Sequence, residues 1–317
     1  MPRYSYGEFS IMIEQPLPDL DAWVAYFREA NLPVLRHTVQ ELERMRANAE
    51  NVNGRVLSGT ILRDPMMTLR VLAYLEANRR QRQTTDITTI ERAIMMIGVE
   101  PFFHNFQDLP QIEVQLRPYP QALLGMLKVV HRARRAAQWA RDWAIVRHDL
   151  DVDEITLAAL LHDMAELLMW CFAPKIALKV RDTQIANPNT RSADIQIGTY
   201  GIALYQVKMA MAETWRLPQL LTQLMDNKHA ENPRVRNVKL AVDLARHSAT
   251  SWSDPALPDD FRGIRELLRI KQQTLVRRLG LDEATSTMLL AMEDQPEQSE
   301  QSEQPEPASR SSEAPSG

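Results

Sequence analysis

The chain is poor in the residues that build cross-linked or sheet-based folds. Cys171 is the only cysteine among 317 residues. No intramolecular disulfide can form and no cysteine pair is present for zinc, and a reducing, cytoplasmic setting is the expectation. With only 10 glycines and few alternating β-branched runs, a large sheet is not expected. Nucleotide-binding glycine motifs of the G-x-G-x-x-G or Walker type are absent, and so are the G-x-S-x-G elbow and the H-E-x-x-H zinc motif. The N-terminus lacks a basic stretch followed by an apolar core, so no signal peptide is expected. The longest apolar stretch surrounds Cys171 and is interrupted by His162, Asp163 and Glu166, which argues against a membrane span.

Charge of one sign is lacking too, except at one end. The net charge is −4. The segment 293–317 alone carries −6, which leaves the rest at +2. The folded part is close to neutral, so bulk charge gives no case for nucleic-acid binding. After Glu293 the chain is mostly Glu, Gln, Pro and Ser with nothing large and apolar to bury, and it is expected to be a disordered acidic tail.

What is present is helix-forming. Hydrophobic residues make up 44% and charged residues 25%, with Ala, Leu, Arg, Glu, Gln and Met prominent. An N-terminal arm, 1–30, carries Tyr4, Tyr6, Phe9, Trp23, Tyr26 and Phe27 and ends in a short helix, Leu20–Ala30. Helices are expected over His37–Ala49 and Val56–Arg63, then from Pro65 onward and over Ile90–Ile97, where Gly98 stops the last of them. The Pro-flanked stretch Pro110–Pro120 reads as a joint between lobes of about 31–110 and 120–292. One long helix is expected over Gln121–Val146. The next runs through Leu157–Trp170, capped by Asp153 and ended by Ala173-Pro174. Further helices are expected over Asp194–Trp215, Pro218–Asp226, Pro233–Thr250, Phe261–Leu279 and Asp282–Met292.

The chemistry centres on His162-Asp163 inside the apolar run Leu157–Trp170. An imidazole and a carboxylate buried there need a partner, because an unpaired buried charge is costly. His131 and Asp243, each mid-helix, are candidate companions. Two imidazoles and two carboxylates suit one divalent Mg, Mn, Fe or Zn ion. Such an ion activates water against phosphorus, and His229 or Glu166 are the candidates to move protons. Each residue also has a plainer reading: His131 as a boundary histidine among arginines, Asp163 as a partner of a neighbouring helix end, and Asp243 as a pair with Lys239 or His247 at i,i+4 spacing. Arg132, Arg134 and Arg135, with Arg141 and Arg147, form a basic run that reads either as a solvated face or as a site for an anionic nucleotide or phosphate. Arg79, Arg80 and Arg82 form a second basic run. Most methionines, and Trp215 beside its proline turn, read as core.

Several segments resemble the HDOD family, a branch of the HD superfamily found in bacterial signalling proteins, over roughly residues 31–290. Leu32-Pro33 resembles the family's entry into its first helix. Ile61-Leu62-Arg63-Asp64-Pro65-Met66-Met67-Thr68-Leu69 is similar to its I-x-x-D-P-x-L segment, and Asn78 falls near its N-S turn. Thr88–Gly98 is similar to S-I-x-x-A-I-x-x-L-G, and Ala158–Leu168 to G-L-L-H-D-I-G-x-L. Trp215-Arg216-Leu217-Pro218 resembles W-x-L-P. The resemblance implies an all-α, two-lobed globule. It also implies a signalling or regulatory role, exercised through protein partners or a sensed ligand more often than through catalysis. The superfamily pattern H…HD…D maps onto His131, His162, Asp163 and Asp243, and so supports either one metal or none. The alternative function is a metal-dependent phosphohydrolase acting on a nucleotide or cyclic dinucleotide. Against it, Ala165 and Glu166 stand where catalytic relatives read G-K, and no GYP motif is present. Ile202-Ala203-Leu204 follow Gly201 without the family's frequent histidine, and Lys228-His229 replaces a His-His pair.

Overall fold

A computed structural model of the chain describes residues 12–78 and 88–291. The aromatic residues Tyr4, Tyr6 and Phe9, the basic stretch Arg79, Arg80 and Arg82, Met292 and the acidic tail 293–317 lie outside the described residues. The chain divides into two compact units, 1–271 and 272–317.

In the first unit, α1 (Leu20–Glu29) starts where the Asp19 carboxylate accepts a hydrogen bond from Ala22 N at 2.8 Å. It buries Trp23 and Phe27 completely. Phe27 and Tyr26 pack on Phe172, with ring centroids 6.0 and 5.8 Å away, so aromatic burial holds the N-terminal arm in place. Next come α2 (Arg36–Ala47), α3 (Gly54–Ile61), α4 (Pro65–Ala77), α5 (Ile90–Ile97) and α6 (Val99–Asn105), which pack on one another. Gly98, at φ 85°, ends α5 in a conformation that L side chains rarely adopt.

Asp64 ties α2 and α4 together. Its buried carboxylate caps α4 by accepting from Met66 N and Met67 N at 2.9 and 3.2 Å. It also accepts from Leu35 N and Thr38 Oγ1, at the start of α2, both at 2.8 Å. Pro65, whose missing N–H costs nothing at a first helical position, follows it.

Gln111, just ahead of the short α7 (Ile112–Gln115), forms a single backbone bridge with Val34. No strand forms among the described residues. The long α8 (Pro120–Val146) is an axis on which other helices of this unit gather. Around it pack α9 (Val152–Leu161), α10 (Met164–Phe172), α11 (Pro174–Ala186) and α15 (Pro233–His247). Between and after these come α12 (Ser192–Tyr200), α13 (Leu204–Thr214), α14 (Gln219–Leu224) and α16 (Leu257–Leu268). α8 and α10 approach closely at Gly125, where an added Cβ would lie 2.5 Å from the Trp170 ring. The second unit contains α17 (Gln272–Leu279) and α18 (Glu283–Ala291), linked by a hydrogen bond from Gln272 Nε2 to Leu289 O at 3.1 Å.

Three expected helices are divided. The run through His162 breaks at His162-Asp163, between α9 and α10. Asp153 lies in the first turn of α9, pairing with Arg141 at 2.7 Å, and does not cap that helix. The stretch 194–215 breaks at Gly201, at φ 78°, and the stretch 261–279 breaks at Arg269, at φ 55°. The span Val152–Phe172 is long and apolar enough to cross a membrane, but 83% of its apolar window is buried within the protein, as expected of a core helix pair.

Candidate functional site

The break between α9 and α10 delivers the two polar side chains. A helix continuous through 162–163 would satisfy the backbone but direct the side chains by helical phase alone. Here Asp163 leaves helical geometry at φ −95°, ψ 23°, and both side chains turn toward one point. Asp163 Oδ1 lies 3.1 Å from His162 Nδ1. A carboxylate can only accept, so Nδ1 carries the proton and Nε2 is left as an acceptor.

That acceptor faces a cation. Lys208 Nζ, on α13 and only 4% exposed, lies 3.2 Å from His162 Nε2 and donates to Met225 O at 2.8 Å. Asn227 Oδ1 also lies 3.1 Å from Nε2; with Nε2 unprotonated, that pair becomes a hydrogen bond when the amide is turned to present its NH₂ group. Burial, and then Lys208, push the His162 imidazole below its ordinary value of 6.5. Burial lowers the Lys208 ammonium to about 8 against the pull of Asp163. At neutral pH the ring is therefore neutral and the amine mostly charged.

The Asp163 carboxylate, 10% exposed, is matched twice more. Arg132 Nη2, on α8, lies 3.0 Å from Oδ2. Arg246 Nη2, on α15, lies 3.5 Å from Oδ1. Burial would raise the Asp163 pKa, but the His162 hydrogen bond and the charges of Arg132 and Arg246 hold it well below the usual carboxylate range. Arg132 also binds Glu166 Oε2 at 2.6 Å. Burial disfavours its charge, but Glu166 and Asp163 more than restore it and raise its pKa. The network continues outward. Arg246 reaches Asp243 at 4.0 Å, and Asp243 pairs with Lys239 at 2.6 Å.

The expected four-residue metal set, His131, His162, Asp163 and Asp243, is not assembled. His162 and Asp163 are together. Asp243 has its ion pairs with Arg246 and Lys239. His131 is exposed. α8 buries Val129, Val130, Ala133 and Ala136; at 3.6 residues per turn His131 falls outside that face, and its neighbour Arg132 meets the acid. Among the described residues no group of three or more His, Cys, Asp or Glu side chains is placed to hold a metal ion. A divalent cation does not fit this centre, because Arg132, Arg246 and Lys208 already direct positive charge at its two candidate ligands.

The expected proton-movers are placed elsewhere. Glu166 is held by Arg132 and lies 3.5 Å from Trp170 Nε1. His229 is 64% exposed and lies 3.4 Å from Glu231 and 3.8 Å from Asp226. Sequence reasoning missed Lys208, Arg246 and Asn227 and placed Arg132 in a basic run, read either as a solvated face or as a site for an anion. One signal was available for Lys208, a lone charge in the apolar run Val207–Ala212.

The chain was compared with known proteins. No curated protein sequence matches it significantly. Among solved structures, a virulence factor from Campylobacter jejuni subsp. jejuni aligns with TM-score 0.59 and 18% identity, over 86% of this chain and 96% of that one. The MmoQ response regulator from Methylococcus capsulatus str. Bath aligns with TM-score 0.56 and 18% identity, over 82% of this chain and 98% of that one. At such identity these likenesses establish the helical fold. The family model of the HDOD domain matches residues 32–231, which include the Asp64 cap, His162-Asp163, Lys208 and Asn227, and the chain belongs to the HDOD domain family.

Proposed function

We propose that this protein is a regulatory module of bacterial signal transduction that acts by binding signalling partners, with the His162–Asp163 centre serving as its structural hub. The observation that carries the reading is the threefold matching of that centre by protein cations. Arg132, Arg246 and Lys208 lie within 3.5 Å of Asp163 or His162. Groups satisfied in this way stiffen the packing of α8, α10, α13 and α15 around the pair, and among the described residues no group of three or more His, Cys, Asp or Glu side chains is placed for the ion that a phosphohydrolase of this superfamily would need. The response-regulator name of the Methylococcus structure agrees with a signalling role. Glu166, at the position where catalytic relatives carry lysine, adds negative charge beside the centre, which disfavours a phosphate there.

The test is metal analysis of the purified protein together with hydrolysis of a generic phosphodiester in the presence of Mn²⁺. The binding reading expects no stoichiometric metal and no turnover above a His162→Ala, Asp163→Ala control. One metal per chain, lost in both variants and accompanied by hydrolysis, would establish the phosphohydrolase reading in its place.

A further inference from the structure

The basic run of α8 separates into two sets. Arg132 is consumed by Asp163 and Glu166, and Arg141 pairs with Asp153 at 2.7 Å. Arg147 pairs with Asp149 at 3.1 Å and donates to Leu267 O at 3.1 Å. The remaining cations, Lys128, Arg134 and Arg135, form no ion pair with any carboxylate among the described residues. They share one outward face of the helix with His131 at i, i+3, i+6 and i+7. Arg134 Nε donates to the Arg63 carbonyl, which brings the exposed, unpaired Arg63 side chain alongside. The Arg134 guanidinium is lowered from its ordinary value first by burial, with Asp64 opposing and Arg63 adding to the effect. Arg135 lies over the Trp139 and Trp252 rings, 4.8 and 5.5 Å from their centroids. That contact fixes its direction while leaving its N–H groups free to donate.

The same face continues toward the start of α8 as Leu124 and Leu127, 53% and 37% exposed. From Leu124 to Arg135 the stripe is about 17 Å long at 1.5 Å per residue. It is apolar at one end and cationic at the other, and it contains no acidic residue; the first acid on α8 is Asp142.

We infer that this stripe of α8 is a docking surface for an acidic, leucine-bearing helical segment of a partner protein. The occupant follows from the pattern. Unmatched cations at helical spacing complement carboxylates presented at the same spacing, and a pair of exposed leucines complements apolar anchors one or two turns away. A nucleic-acid backbone would have no use for Leu124 and Leu127. The near-neutral charge of the chain ahead of its acidic tail also lacks the broad positive field that such binding draws on. The inference rests on the partner-binding reading above and names its surface.

The test uses the full chain and a fluorescein-labelled amphipathic peptide with Glu on one edge and Leu on the other, read by anisotropy. The same peptide with Leu replaced by Ser, and a single-stranded RNA, serve as alternative probes. The peptide is expected to bind wild type and to weaken as salt is raised. A Lys128→Glu, Arg135→Glu double variant is expected to bind roughly tenfold more weakly, and the Ser-substituted peptide is also expected to bind more weakly. Lys175→Glu, Lys179→Glu, the same charge change at two exposed positions of α11, is expected to leave binding unchanged. Urea midpoints of all variants confirm that the fold is intact. No measurable peptide binding, equal binding by the charge-reversed variant, or tighter binding of RNA overturns the inference. The two readings fail separately: metal-dependent hydrolysis with peptide binding intact removes the function proposed above, whereas loss of the peptide result with no hydrolysis removes only this surface.

Discussion

Arg132 and Arg135 stand three residues apart on α8 and meet opposite environments. Arg132, with 14% of its side chain exposed, is enclosed by Asp163 and Glu166. Arg135 stacks on two tryptophans and faces no acid. Each charge in the first region has a partner inside the protein, whereas the cations of the second have none. Matched buried charges report on stability and specificity of packing, and unmatched exposed ones report on what the surface meets. One helix therefore carries both the hub of the fold and its proposed docking face, separated by a fraction of a turn.

The largest expected effect comes from breaking the matched region. Arg132→Met strands Glu166 and leaves the buried Asp163 with only Arg246 and His162, and it is expected to cost about 3–5 kcal/mol in urea unfolding. A loss below about 1 kcal/mol would mean that water solvates the acids in place of the guanidinium.

A second, smaller effect concerns pH. The folded His162 value lies below the ordinary 6.5, so the unfolded chain takes up a proton first as pH falls. Stability is expected to drop as pH passes downward through 6.5 and to level off below the depressed folded value. Asp163, also lowered, contributes stability that is present above the ordinary 3.8 and lost as pH falls below it. Lys208 acts at the other end. Its folded value of about 8 against 10.5 means that stability rises as pH climbs between those two values. Lys208→Met is expected to abolish that alkaline rise and to move the His162 NMR titration upward, toward its ordinary value, because a like charge has been removed. An unchanged His162 titration would show that the ammonium does not face the ring.

The smallest stability effect belongs to the unmatched region. Lys128→Glu is expected to shift stability by no more than about 0.5 kcal/mol while weakening the acidic peptide. A large destabilisation would place Lys128 in the matched set and erase the contrast.

Much of this was legible in the sequence. The all-α class, the long α8 and the start of α4 at Pro65 follow from composition, periodicity and the preference for proline at a first helical turn. Gly201 is a visible breaker. The breaks at His162-Asp163 and at Arg269 carry no glycine or proline, and tertiary packing imposes them on residues that would otherwise continue a helix. The site was legible only in its central pair. Residue type favoured His131, but helical phase selects Arg132; the buried positions on either side of it contained that information. Lys208, Asn227 and Arg246 come from helices distant in sequence, and no local pattern places them around an imidazole.

The central claim is that protein cations are the partners of the His–Asp pair. A double-mutant cycle between Arg132→Met and Asp163→Asn, followed by urea unfolding with chelator present, tests it most directly. The account predicts that the two losses are strongly non-additive, with a coupling of about 1–3 kcal/mol. Losses that add to within about 0.3 kcal/mol would contradict it.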